Sequence, residues 1–193
     1  MKYLRRFLWF LTARMFWVTV VAGLLIVVFY FAMNFANLYI LLHDGLEARA
    51  GVVLMDRSTS ELTKFFRRDF LENDQVLRVG MSDRSPYADY DIRGFEHEIS
   101  LERLWSWPWE NVARGTIVER VPRIDGKIKA GRREAALAAG GEERLLPPAW
   151  QAARYIVTMQ RTSGQWKIAS LQRVEALPDP IVVSASTQAP ASP

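Results

Sequence analysis

The sequence contains no cysteine and only two histidines, His43 and His97. The missing thiols exclude a disulfide scaffold, a cysteine-ligated zinc or iron–sulfur site and a thiol nucleophile. Two histidines leave little for a histidine-rich metal centre, and no metal or cofactor is expected. Acidic residues are absent from residues 1–42, which carry Lys2, Arg5, Arg6 and Arg14. The remaining 151 residues hold 21 basic and 21 acidic side chains, so the formal net charge of +4 sits wholly at the N-terminal end. The pI of 9.6 is therefore no nucleic-acid footprint, because the body of the chain has no basic excess to neutralise phosphates. Phosphate-cradling glycine loops, zinc-ligand spacings and serine elbows are also missing; Gly140-Gly141 is an isolated pair, and Arg132-Arg133 reads as solvated charge.

What is present begins with Met15–Leu42, MFWVTVVAGLLIVVFYFAMNFANLYILL, 28 positions without a charge. A bilayer core needs roughly 20 apolar residues at about 1.5 Å each, so the run is long enough to span. Residues 1–15 read as a basic cytoplasmic arm and 16–42 as a transmembrane helix, with the crossing itself at about Phe16–Tyr39. The positive charges precede the run while His43, Asp44 and Glu47 follow it, which puts the N-terminus inside and residues 43–193 outside. Phe7, Trp9, Phe10, Phe16 and Trp17 suit the inner interface and Tyr39 the outer one. Asn34 and Asn37 share a helix face, either solvated at the headgroups or forming a polar seam between spans. Ala48-Arg49-Ala50 resembles a signal-cleavage site, but it lies far beyond the apolar run, which favours an uncleaved anchor.

Residues 43–57 read as a juxtamembrane linker, with a turn at His43-Asp44-Gly45 and a short helix over Leu46–Leu54. Residues 58–177 read as an extracytoplasmic α+β domain. Ser58 and Glu61 have capping-box spacing, and Leu62, Phe65, Phe66 and Phe70 recur at helical spacing, so an amphipathic helix is expected over Glu61–Leu71. Val76–Met81 reads as a short strand. Residues 91–109 alternate strongly: Phe95, His97, Ile99, Leu101, Trp105, Trp107 and Trp109 on one face, Glu96, Glu98 and Glu102 on the other. A long half-exposed strand is expected, bent near Pro108. Thr116–Val121 is a further strand, followed by a turn centred on Asp125-Gly126. Residues 130–146 suit a marginal helix or a mobile loop. Two alternating runs, Arg154–Arg161 and Trp166–Val174, flank Thr162-Ser163-Gly164-Gln165 as a hairpin. Residues 178–193 read as a disordered tail.

This order resembles the cone-shaped α+β fold of the nuclear-transport-factor-like superfamily: helix Glu61–Leu71, strand Asp91–Trp105 and closing hairpin Tyr155–Val174. It departs from that fold in offering one clear helix where two or three are usual. With an N-terminal span, the arrangement is similar to single-span assembly proteins of type IV secretion and conjugation machines. The resemblance implies a twisted antiparallel sheet packed on an amphipathic helix, and a scaffold that self-associates or binds envelope proteins around an export channel.

Three groups of residues are candidates for chemistry. Trp105, Trp107 and Trp109 are expected either to pack under the helix as core or to present an aromatic platform to a protein, peptide or glycan. Glu96, Glu98 and Glu102 are expected on a solvated face, paired with cross-strand arginine or lysine. His97 is either a hydrogen-bonded core histidine or a general base in a cone cavity, with Asp69 and Asp91 as its possible carboxylate partners. The function expected is a membrane-anchored extracytoplasmic scaffold of a cell-envelope assembly, non-enzymatic. The alternatives are a small cavity hydrolase or isomerase using His97, and a ligand-binding module using the tryptophans.

Overall fold

The apolar run folds as the middle of one helix, α1 (Lys2–Met55), 54 residues and about 80 Å long. The computed structural model describes residues 2–107 and 109–178, without the side chains at positions 2 and 4–8. The expected bend at Pro108 and the expected tail after Pro178 lie outside the described residues.

The two halves of α1 have different surroundings. Residues 9–30 are exposed, apart from half-buried Ala13. This helix is long and apolar enough to cross a membrane. From Asn34 onward, Leu38, Leu42, Leu46, Arg49, Ala50 and Val53 recur every three or four residues and are buried. That stripe is the α1 face of the domain core, and fully burying each of its leucines contributes about 1.5–3 kcal/mol. Two expectations are corrected here. Residues 43–57 are not a linker, because α1 runs unbroken to Met55. His43-Asp44-Gly45 is not a turn: a Cβ on Gly45 would lie 3.1 Å from both Ile168 Cδ1 and Phe65 Cβ. The glycine is there for close approach to the sheet. The segment 16–42 is likewise divided, since Asn34, Leu38 and Leu42 are buried against the domain.

Asp56 turns the chain with φ of 52°. A 3-10 turn, Thr59–Lys64, follows, with Ser58 as its N-cap accepting from the Ser60 amide. The single helix expected over Glu61–Leu71 is interrupted at Phe66, which bridges in parallel to Ile168. The Arg67 amide donates to Ile168 O and the Ile168 amide to Phe65 O. Sheet pairing here overrides helical periodicity, while Leu62 and Phe66 still reach the core. Two short helices complete this side, α2 (Arg68–Asn73) and α3 (Gln75–Gly80). Val76–Met81 is thus helix rather than strand. Asp74 caps α3 by accepting from the Val76 amide at 2.9 Å, and Gly80 lets α3 meet α1 where a Cβ would stand 2.8 Å from Val53 Cγ1.

The sheet has four antiparallel strands in the order β1-β2-β3-β4: β1 (Tyr90–Trp105), β2 (Val112–Ile128), β3 (Ala153–Thr162) and β4 (Gln165–Ala176). Asp125-Gly126 is not a turn; it lies inside β2, opposite Gly94 and Ile92, because β1 is long enough to pair the whole segment. Residues 130–145 form two 3-10 turns around helix α4 (Arg133–Gly140). The β3–β4 hairpin turns at Ser163 and Gly164, both with positive φ, as a two-residue hairpin loop requires. One sheet face buries Ala113, Ile117, Val157, Met159 and Ile168 beneath α1. On the open face Arg154 pairs with Glu102 and Glu175, and Arg123 stands 3.9 Å from Glu96. The architecture is α+β, with a long apolar N-terminal helix and a four-stranded antiparallel sheet.

Candidate functional site

Bulges in β1 decide where its aromatic residues point. Leu101 pairs with Ile117 and Arg103 with Thr116, so Glu102 is an extra residue on β1. Such a bulge reverses the in–out alternation beyond it. Before it, Phe95, Ile99 and Leu101 pack on the core; after it, Leu104 does. Trp105 is turned out, with 57% of its surface exposed. Beyond the end of β1, Trp107 is 39% and Trp109 71% exposed, so of the two alternatives for these tryptophans the packing under the helix as core is corrected. Strict period two cannot reveal a one-residue insertion, and β-propensity gives no other signal of it.

The three indoles pack on each other at the end of the sheet. Trp105 meets Trp107 edge-on at 5.3 Å between centroids, and Trp107 stacks on Trp109 at 5.0 Å and 17°. A tight turn holds them, the Glu110 amide donating to Trp107 O. Phe31 of α1 meets Trp107 edge-on at 6.1 Å. Trp105, Glu110, Asn111, Val112 and Arg114 line a shallow cleft beside them.

Next to this shelf, Asn34 ties α1 to the β3–β4 hairpin. Its Oδ1 accepts from Trp166 Nε1 at 3.2 Å and from Arg161 Nη2 at 3.3 Å. The Arg161 guanidinium lies over the Trp166 ring at 4.7 Å. Asn34 is buried and neither solvated at headgroups nor free for another span; Asn37 is exposed.

A second polar cluster lies deeper. Arg49 of α1 donates to Asp74 through Nε (2.7 Å) and Nη2 (3.2 Å), and both side chains are almost fully buried. Burial, the largest influence on Arg49, pulls its pKa down. The Asp74 bond and the charges of Glu119 and Asp74 outweigh it, and the net shift is upward. Glu119, on the core face of β2, is fully buried and lies 3.2 Å from His97 Nε2. Burial, then the Glu119 charge, pushes the Tyr155 phenol up. Arg49 Nη1, His97 Nδ1 and Glu119 Oε2 have no hydrogen-bond partner among the described residues.

His97 is thus placed as a core histidine. Its side chain is 2% exposed, its ring meets the edges of Phe95 and His43, and it lacks the access a general base needs. Its carboxylate partner is Glu119; the expectation of Asp69 or Asp91 is corrected. Asp69 is held by Arg67 on the surface, and that bond lowers its pKa. Asp91 is exposed and faces Arg93. Glu119, Arg49 and Asp74 were not singled out from sequence, since nothing local marks a charged residue that will be buried. Phe16, Trp17 and Tyr39 all lie exposed on α1. Among the described residues, no group of three or more histidine and acidic side chains is placed to hold a metal ion. No family model, curated protein or solved structure matches the chain.

Proposed function

We propose that this chain is a membrane-anchored scaffold or interaction protein of a cell envelope, its α+β domain outside and its basic arm in the cytoplasm. The observation carrying this reading is the division of α1. One unbroken helix is bare and apolar over residues 9–30, then forms the core of the domain from Asn34 to Met55. A soluble protein would leave that bare half without a cover. In a bilayer it is an anchor, and helical continuity makes the domain a rigid extension of the anchor. Such rigidity suits a part of a fixed assembly, as does the antiparallel sheet packed on the helix. Secretion and conjugation machines are the envelope assemblies this reading favours. The basic residues on the N-terminal flank support the orientation.

The buried position of His97 argues against cavity catalysis. The exposed indoles favour a second reading, a binding module built on the tryptophan shelf.

The absence of cysteine makes the test direct. In intact cells, a membrane-impermeant maleimide should label Glu134→Cys without lysis, and a photo-crosslinker at Gln172 on the sheet should yield discrete adducts with a second copy or other envelope proteins. Labelling only after lysis overturns the topology. Labelling without any adduct overturns the scaffold role.

A further inference from the structure

Where the anchor meets the domain, the sheet end carrying the indoles lies beside the bare half of α1, and the distances along α1 give it a depth. Trp9 and Phe10 are exposed near the N-terminal end, and Phe31 is the α1 residue that touches Trp107. From Trp9 to Phe31 the helix rises roughly 33 Å, against a hydrocarbon core about 30 Å thick. Arg14 to Asn34, the first buried position of the domain, is about 30 Å. Two exposed aromatic groups therefore stand one bilayer thickness apart. Tryptophan favours this boundary because its ring is apolar and its N–H seeks water or headgroups.

We propose that Trp105, Trp107 and Trp109 are a second membrane contact, an aromatic foot by which the domain rests in the outer headgroup–acyl boundary of the bilayer that α1 crosses. The inference rests on the reading of α1 as a membrane span. Its occupant is the lipid surface, because the shelf is continuous through Phe31 with the bare apolar face of α1. The foot restrains tilt of the span and its domain together in the bilayer, so the open sheet face keeps a constant orientation to the membrane. The bulge at Glu102 is what makes it possible: without that extra residue Trp105 would turn into the core.

The test uses the full chain reconstituted in phosphatidylcholine/phosphatidylglycerol vesicles, with a fluorophore on one introduced cysteine and lipids brominated at different depths. The label at Leu24→Cys reports the span, at Asn111→Cys the foot, and at Glu134→Cys, beyond the opposite end of the sheet, the aqueous control. The Asn111 label is expected to be quenched most by shallow bromines, the Leu24 label by deep ones, and the Glu134 label by neither. Replacing all three tryptophans with alanine should abolish quenching at Asn111 and leave it intact at Leu24. The indoles pack mainly on each other and on Phe31, so this variant should keep a cooperative thermal transition at a somewhat lower midpoint, and a tryptophan-to-phenylalanine triple variant should keep partial quenching. A deep Leu24 label with an unquenched Asn111 label overturns the foot alone and assigns the indoles to another occupant. An unquenched Leu24 label overturns the span. Asn111 quenching that survives the alanine substitutions also overturns the foot.

Discussion

Arg49→Met should be among the most destabilising single changes in the domain. The guanidinium forms two bonds to Asp74, and both side chains lie in the core at 2% and 6% exposure. Methionine fills much of the same volume, so the effect comes from charge. Two buried carboxylates, Asp74 and Glu119, lose the cation whose ionisation they support. Breaking a buried pair from one side costs about 3–5 kcal/mol, because the partner stays desolvated without compensation. For a domain of this size each kcal/mol moves the midpoint by about 3–6 °C, so a fall of roughly 10–25 °C is expected. Asp74→Asn keeps an oxygen for the Val76 amide, hence the cap of α3, while removing the charge. The double variant should therefore be more stable than the sum of the two losses by about 1–3 kcal/mol. Near-ultraviolet circular dichroism of the full chain in detergent follows the loss of aromatic packing in the domain over a constant background from the exposed aromatics of α1. A fall of less than about 3 °C for Arg49→Met, or strict additivity in the double variant, would refute the reasoning.

Two further outcomes follow from buried groups. Burial pushes the Tyr87 phenol up to about 12 and also raises Tyr155, so the folded state favours both neutral phenols. Their contribution is fully present below the ordinary tyrosine value near 10 and is lost as pH rises beyond it, for Tyr87 toward about 12; tyrosinate absorbance should show a late component that appears together with loss of near-ultraviolet ellipticity and shrinks in a Tyr87→Phe, Tyr155→Phe variant, whereas a late component unchanged by those substitutions would contradict it. Gly80→Ala would put a Cβ 2.8 Å from Val53 Cγ1, where α3 meets α1, and should lower stability by about 1–3 kcal/mol in denaturant titration despite alanine's better helix propensity; pairing it with Val53→Ala, which clears the space, should recover part of that loss.

Several features were legible because they depend only on neighbouring residues. The apolarity of the bare part of α1, the Ser58 cap and the hairpin at Ser163-Gly164 follow from local pattern, and the alternation along β1 put Glu96 and Glu102 on the open face where arginines meet them. Other features failed for one shared reason. Val76–Met81 has strand-like composition but became helix because Asp74, fixed by distant Arg49, caps it. The helix expected across Phe66 was broken by Ile168, about a hundred residues away, which supplied a strand edge. Asp125-Gly126 has the turn dipeptide but lies within pairing distance of β1.

The candidate residues divide in the same way. From sequence, His97 is open between a core histidine and a cavity base, and the sequence cannot choose because its partner, Glu119, belongs to a neighbouring strand whose register the sequence does not print. The tryptophans are likewise open between core and an exposed platform, and the sequence cannot choose because the inserted Glu102, which turns Trp105 off the core face, has no local signal.

By itself the sequence determined that an uncharged apolar helix, flanked by basic residues, precedes an electrically neutral body rich in alternating strands. Hydrophobicity and charge are additive along a chain, so they can be read without knowing what touches what. Only the tertiary structure decided that this helix continues into the core, that Arg49, Asp74, Glu119 and His97 meet inside it, and that three indoles face outward beside Phe31. Those outcomes depend on register and on contacts between residues far apart in sequence, where a shift of one residue or one capped turn exchanges inside for outside.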